Sequence, residues 1–343
     1  MRWRAREMVL LGAGLALLGG AAARPAAADD LGDESSFAID PRLEELLRRA
    51  GAATGPVPVP LWRHRDAELQ ARLEALVSRL GLRPAARRGA LALALVDLQD
   101  LGRPRVAAVN GDHMMYAASL PKIAVLLAAF EKIARGELRL DAELRDHLER
   151  MIRDSSNASA THVMHRVGKR FIAEVLLSPR YRLYDPARGG GLWVGKDYAR
   201  AGLWMRDPLH QLSHGATALQ VARFYTMLAR DELVSPRYSR MMKRMLGRTS
   251  IEHKFVRGLR AVRPRAAIYR KSGSWRGWHS DSALVEHEDG RYVAVALSAS
   301  PQGGRWLPQL IVGMDAIISE YEAETRLPAV ALPGPGELRR AAR

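Results

Sequence analysis

The alternation of apolar and polar positions predicts a helix, two strands, a long helical block, three strands and a closing helix. Asp66 to Leu82 carries leucines at helical spacing and ends in a Gly-Leu-Arg-Pro turn. Ala90 to Leu98 is a short continuous apolar run suited to a buried strand, and Arg105 to Asn110 is a second strand beyond a Gln-Asp-Leu-Gly-Arg-Pro turn. An apolar helix is expected from about Ser119 to Arg135, closed by Gly136. Further helices are predicted over Asp141–Arg153, Ala158–Val167, Thr217–Arg230 and Ser235–Leu246, with an irregular Gly- and aromatic-rich stretch from Arg182 to Asp207. The strand pattern returns at Ala266–Gly273, Asp281–Glu286 and Arg291–Ser298, followed by a helix from about Trp306 to Glu324. Neither strand group makes a stable sheet alone, so both must share one, with the helical block (about 119–262) inserted between them.

The two ends read differently. Arg2, Arg4 and Arg6 precede an apolar stretch from Met8 to Ala23, and Ala26-Ala27-Ala28 precede Asp29. This is the pattern of a secretory signal peptide over residues 1–28, so a periplasmic or secreted protein is expected, without a stable membrane span after cleavage. Residues 29–65 form an extension ending in the Gly-Pro-Val-Pro-Val-Pro linker; the domain is expected over 66–325 and a loose tail over 326–343. The chain contains no cysteine, which excludes thiol catalysis, cysteine metal sites and disulfides; an exported domain of this size relies on its core. The net charge of +16 comes largely from arginines spread along the chain. They form no dense basic stripe interleaved with aromatics, so no nucleic-acid partner is expected.

Three serine signals carry chemistry. In Ser119-Leu120-Pro121-Lys122, the only S-x-x-K of the chain, a serine opens a helix and a lysine follows one turn later. A serine needs a nearby base to become a nucleophile, and a lysine among apolar groups loses its proton more readily. The helix N-terminus adds N–H groups and partial positive charge for an oxyanion. The plainer reading is that Ser119 caps the helix and Lys122 snorkels. Ser155-Ser156-Asn157 lies between two helical stretches and reads equally as a cap; Lys271-Ser272-Gly273-Ser274 closes a strand and reads equally as a turn. His162 and His165, and His210 and His214, share helical spacings, but there is no H-E-x-x-H and no metal site or cofactor is expected. Trp193 and Trp204 suit the core, whereas Trp275 and Trp278 flank the third signal and suit a substrate-facing wall.

The ordered set S-x-x-K, S-x-N and K-[ST]-G resembles the serine β-lactamase and penicillin-binding protein superfamily, class A β-lactamases in particular, over roughly residues 66–325. The resemblance implies an α/β (α+β) fold with a five-stranded antiparallel sheet, flanking helices and an inserted helical subdomain. It implies a monomeric serine hydrolase with a β-lactam or a peptidoglycan-derived substrate, and hence a link to antibiotic resistance. Ser119 would be the acylated nucleophile and Lys122 its base. Ser155 would pass a proton to the leaving nitrogen, and Asn157 would hold the substrate's amide. Lys271 and Ser272 would bind a substrate carboxylate, Gly273 would allow close approach to the strand, and the N–H groups of Ser119 and Ser274 would form the oxyanion hole. The sequence departs from class A enzymes at four places. Ser156 replaces an aspartate, and the stretch from Ser119 to Ser155 is shorter. The omega-loop glutamate is missing, with Glu174 too early, on the preceding helix, and Asp185 the nearest carboxylate. Asp281 falls where an arginine often reaches the substrate carboxylate, a task that leaves Arg276 as the substitute.

Overall fold

In the computed structural model the described residues are 59–326, together with Pro41, Glu44, Glu45, Leu47 and Arg48, with side chains described as far as residue 320. All of them fall in one compact unit. The expected signal peptide, most of the extension and the tail beyond Arg326 lie outside the described residues.

Helix α1 (Ala67–Arg79) is capped by the Asp66 carboxylate, which accepts from the Leu69 N–H, and buries Leu69, Leu73, Leu76 and Val77. A short α2 (Arg83–Arg87) fills the expected turn. Strands β1 (Leu91–Asp97) and β2 (Arg105–Val109) follow, then the two-residue β3 (Met115–Tyr116). The helical block holds α3 (Lys122–Ala134), α4 (Ala142–Arg153), α5 (Asn157–Val167) and α6 (Lys169–Leu177). The irregular stretch contains β4 (Tyr184–Asp185), β5 (Gly190–Gly191), β6 (Trp193–Val194) and β7 (His214–Ala216). Then come α7 (Ala218–Ala229), α8 (Pro236–Leu246), α9 (Phe255–Val262), β8 (Ala267–Trp275), β9 (Trp278–His287), β10 (Gly290–Ala299) and α10 (Gly303–Arg326).

The five long strands form one antiparallel sheet in the order β2-β1-β10-β9-β8, as the pattern required. Chain ends interleave: β1 lies between β2 and β10, pairing Leu93 with Ala296 and with Val109. Every residue of β1 is buried, because both faces of the sheet are covered. Leu91, Leu93 and Leu95 pack with α1, α9 and α10; Ala92, Ala94 and Val96 pack with the helical block. Helix α3 is buried along its whole first ten residues, Lys122 to Glu131, so it is the core helix of the block rather than an amphipathic surface helix.

Three details differ from expectation. Helix α3 starts at Lys122, not Ser119: residues 117–124 form a tight turn whose N–H groups bond three residues back, Lys122 N to Ser119 O (3.3 Å) and Ile123 N to Leu120 O (3.2 Å). Strand β8 runs through Ser274 to Trp275, so the third signal lies inside a strand and the turn is Arg276-Gly277. Helix α9 was not expected, and α6 was expected only as the helix that carries Glu174, without bounds.

Candidate active site

Strand β8 is the edge of the sheet nearest the helical block, and Gly273 brings it against the Ser119 turn. A Cβ on Gly273 would lie 2.2 Å from the Ala117 carbonyl oxygen and 2.8 Å from the Ser119 nitrogen, so only glycine permits this approach. The Ser280 hydroxyl, on the neighbouring strand, donates to Ala117 O at 2.8 Å and pins the same turn. Ala118, just before Ser119, has φ of +51°, and Ser155 has φ of +57°. Left-handed backbone at two non-glycine residues is a local strain that the surrounding packing holds in place.

Ser155 joins the three signals. Lys271 Nζ donates to Ser155 Oγ (2.8 Å) and to Ser272 O (2.8 Å). Lys122 Nζ donates to Ser155 O (2.6 Å) and Asn157 Oδ1 (2.7 Å), with Ser155 Oγ at 3.5 Å. Both lysines are buried. Burial lowers the Lys122 pKa to about 7; burial, then the charges of Lys122 and Arg270, hold Lys271 well below the usual lysine range. A neutral amine has two hydrogens and one lone pair. The two short bonds of Lys122 use both hydrogens and leave the lone pair free to take a proton.

The plainer reading as a helix cap fails for Ser119 and holds in the second signal for Ser156 alone. Ser119 caps nothing: the N-cap of α3 is Pro121, without a side-chain cap. The cap of α5 is Ser156, whose Oγ accepts from Ser159 N (3.1 Å), which leaves the Ser155 hydroxyl free for the lysines. Ser156 thus does the capping an aspartate could do equally well. Among the described residues no hydrogen bond joins Lys122 to the Ser119 hydroxyl; the direct i,i+3 contact expected from a regular helix is replaced by contacts to Ser155 and Asn157. Ser272 is buried, whereas Asn157 and Ser274 are exposed.

Lys254 escaped the sequence reading. It sits at the start of α9 with φ of +54° and is buried; its Nζ donates to Gly273 O (2.5 Å), Ser274 Oγ (2.7 Å) and Ser280 O (3.1 Å). Burial lowers its pKa to about 8. The available signal was scarcity: of seven lysines in an arginine-rich chain, three (Lys122, Lys254, Lys271) are buried around this site.

Several candidates are placed elsewhere. Asp281 is fully buried and takes both nitrogens of a bidentate pair with Arg270 (Nη2–Oδ2 2.6 Å, Nε–Oδ1 3.1 Å), so it points into the structure and not toward a ligand. Arg276 lies at the β8–β9 turn against Trp275. Asp185 is buried and its oxygens are engaged by Arg182 (3.1 Å) and the Ala187 N–H (3.1 Å). Glu174 is on α6, paired with Arg170. The side chain over Lys122 is Tyr198, with its ring centroid 4.4 Å from Nζ. Its neighbour Asp197 is held by Lys169 (2.6 Å) and His165 (2.9 Å). Tyr198 packs on His214, which in turn meets Tyr116 and, through it, Trp278. Burial lowers the His214 pKa to about 3, and its ring bonds Lys196 O, so it neither charges at neutral pH nor converges with His210. Trp193 is in the core with Trp204 stacked on it, and Trp275 is 56% exposed at the hairpin tip.

A five-stranded antiparallel sheet with helices on both faces, and serine–lysine groups gathered at its edge strand, define the β-lactamase/transpeptidase-like class of serine hydrolase. The chain belongs to the β-lactamase enzyme family, whose sequence model matches residues 85–145 and 142–311. Solved structures with the same fold include PBP-A (TM-score 0.56, 18% identity, covering 79% of this chain and 100% of that one). A PBP-A mutant solved as its acyl-enzyme complex with penicillin G is similar to a like degree (TM-score 0.56, 19% identity, 76% of this chain and 98% of that one). A β-lactamase from Sphaerobacter thermophilus also matches (TM-score 0.55, 18% identity, 74% of this chain and 98% of that one). No curated protein matches the sequence. No helix among the described residues is long and apolar enough to cross a membrane.

Proposed function

We propose that the protein is an acyl-enzyme serine hydrolase acting on β-lactams or related amides, with Ser119 as nucleophile. The observation that carries this reading is the placement of Ser155 between two buried lysines, beside a glycine strand pressed against the Ser119 turn. Ser119 Oγ attacks the carbonyl carbon and its proton passes to the Lys122 lone pair. The carbonyl oxygen becomes an oxyanion facing the Ser119 and Ser274 N–H groups. The C–N bond then breaks, Ser155 Oγ protonates the leaving nitrogen, and the proton on Lys122 replenishes Ser155. Lys271 and Ser272 supply the charge and hydrogen bond for a substrate carboxylate. The segment 1–28 would export the enzyme to the periplasm or beyond.

A second reading, a D-Ala-D-Ala carboxypeptidase or a penicillin-binding protein that stays acylated, is favoured by Tyr198. Deacylation needs a base for the attacking water. Among the described residues no carboxylate is hydrogen-bonded to Lys122, and an aromatic ring covers it instead. Intact-protein mass spectrometry after mixing with a penicillin and a chromogenic cephalosporin separates the readings. A transient adduct with continuing hydrolysis, both lost in Ser119→Ala, is expected of a β-lactamase. A persistent adduct identifies the penicillin-binding reading. No adduct on the unmodified protein refutes acylation by β-lactams.

A further inference from the structure

A cluster away from Ser119 combines ligand types suited to a transition metal. Glu143 and His147 are four residues apart on α4, and His162 faces them from α5. One donor atom from each lies within 4.8 Å of the other two. The His147 and His162 rings stack with centroids 3.9 Å apart and planes 19° from parallel. His162 Nε2 lies 3.9 Å from the Glu143 carboxylate, beyond hydrogen-bonding distance; it is shielded from solvent and has no hydrogen-bond partner among the described residues. An enclosed imidazole nitrogen without a partner is costly, and a cation is one way to satisfy it. His147 is oriented from behind: its Nδ1 bonds the buried Ser159 hydroxyl at 3.2 Å, which leaves Nε2 as the nitrogen available to a ligand. A polar partner on the second ring nitrogen is the usual support of a metal-binding histidine.

We propose that Glu143, His147 and His162 form a binding site for a zinc-class divalent cation, bridging α4 and α5. Two imidazoles and one carboxylate match the donor preference of such ions, with a fourth position left for water. Bonds of about 2.0–2.2 Å place tetrahedral ligands about 3.3 Å apart, and a ligated ion lies in the plane of each imidazole, so binding requires the His162 ring to turn out of its stack on His147 as well as the exposed Glu143 side chain to close on them. The site would clamp the two helices that frame the Ser155 turn: Ser156 N bonds Arg150 O at the end of α4, and α5 begins at Asn157. His165, three residues beyond His162, is not part of the site, because it bonds Asp197.

The test uses the full chain, stripped with EDTA and titrated with zinc chloride alone by calorimetry, and with cobalt chloride for its absorption spectrum. The expected result is one equivalent of zinc bound, a raised melting temperature, and the visible bands of tetrahedral cobalt. His162→Ala and His147→Ala should each weaken binding at least tenfold, and Ser159→Ala about tenfold through loss of orientation. All variants should melt like the unmodified protein in EDTA. If a variant is destabilised there, Glu143→Gln, on an exposed side chain, supplies the comparison and should also weaken binding. Absence of stoichiometric zinc binding, or binding unchanged in His147→Ala, His162→Ala and Glu143→Gln, overturns the site.

Discussion

At the scale of single residues, the central feature is a lysine whose charge the fold opposes. Lys122 is buried, and its pKa is about 7 when folded against about 10.4 in an unfolded chain. Between those values the unfolded chain binds more protons, so this residue makes stability rise with pH from about 7 toward 10. Lys122→Met should therefore stabilise the fold most below pH 7, with the gain shrinking as pH approaches 10, as denaturant melts across that range would show. The same substitution removes the proposed base, so on that reading acylation of Ser119 should fall by about 10²–10⁴-fold in stopped-flow assays. In the unmodified protein the acylation rate should rise as pH increases through about 7, following the neutral amine. A flat profile from pH 5.5 to 8.5 would refute Lys122 as the proton acceptor.

At the scale of elements, the edge strand and one helix cap place the groups. Gly273→Ala would drive a methyl into the Ala117 carbonyl and push β8 off the Ser119 turn. It should cost about 1–3 kcal/mol in stability and reduce acylation far more than that loss explains, which parallel unfolding and adduct-formation measurements would resolve. Ser156→Ala removes the α5 cap and should cost about 1 kcal/mol, while Ser156→Asp should restore it. The elements that the pattern predicted were those with strong local signals: the Asp66 cap of α1, the Asp141 cap of α4 and the Thr217 cap of α7. Helix α9 and the bounds of α6 escaped because both helices are short and start without a side-chain cap. Strands β3 to β7 are two or three residues long and exist only through their tertiary pairing, such as Tyr116 with Gly215 and Trp193 with Gly215.

At the scale of the molecule, the sheet makes the fold a single cooperative unit. Strand β1 from the first half pairs with β10 from the second, and the faces of that one strand pack against two different sets of helices. The isolated segment 119–262 should therefore fail to fold, because α3 would expose its buried face without the sheet; circular dichroism and proteolysis of that fragment would check this. The buried Arg270–Asp281 pair ties β8 to β9 within the same unit. Asp281→Ala leaves a buried guanidinium unpaired and should cost about 3–5 kcal/mol in equilibrium unfolding, with one transition retained.

The order of the long strands and of most of the long helices, the shared sheet and the three serine signals were determined by the sequence alone, because they rest on local periodicity, on residue types at fixed short spacing and on the instability of either strand group by itself. Only the tertiary structure decided which of those residues meet. It placed Ser155, not Ser119, at the head of both lysine amines, buried Asp281 and Asp185 in ion pairs, set Tyr198 over Lys122 and brought Lys254 beneath Gly273. Such meetings depend on burial and on contacts between residues far apart in the chain, which no local pattern encodes.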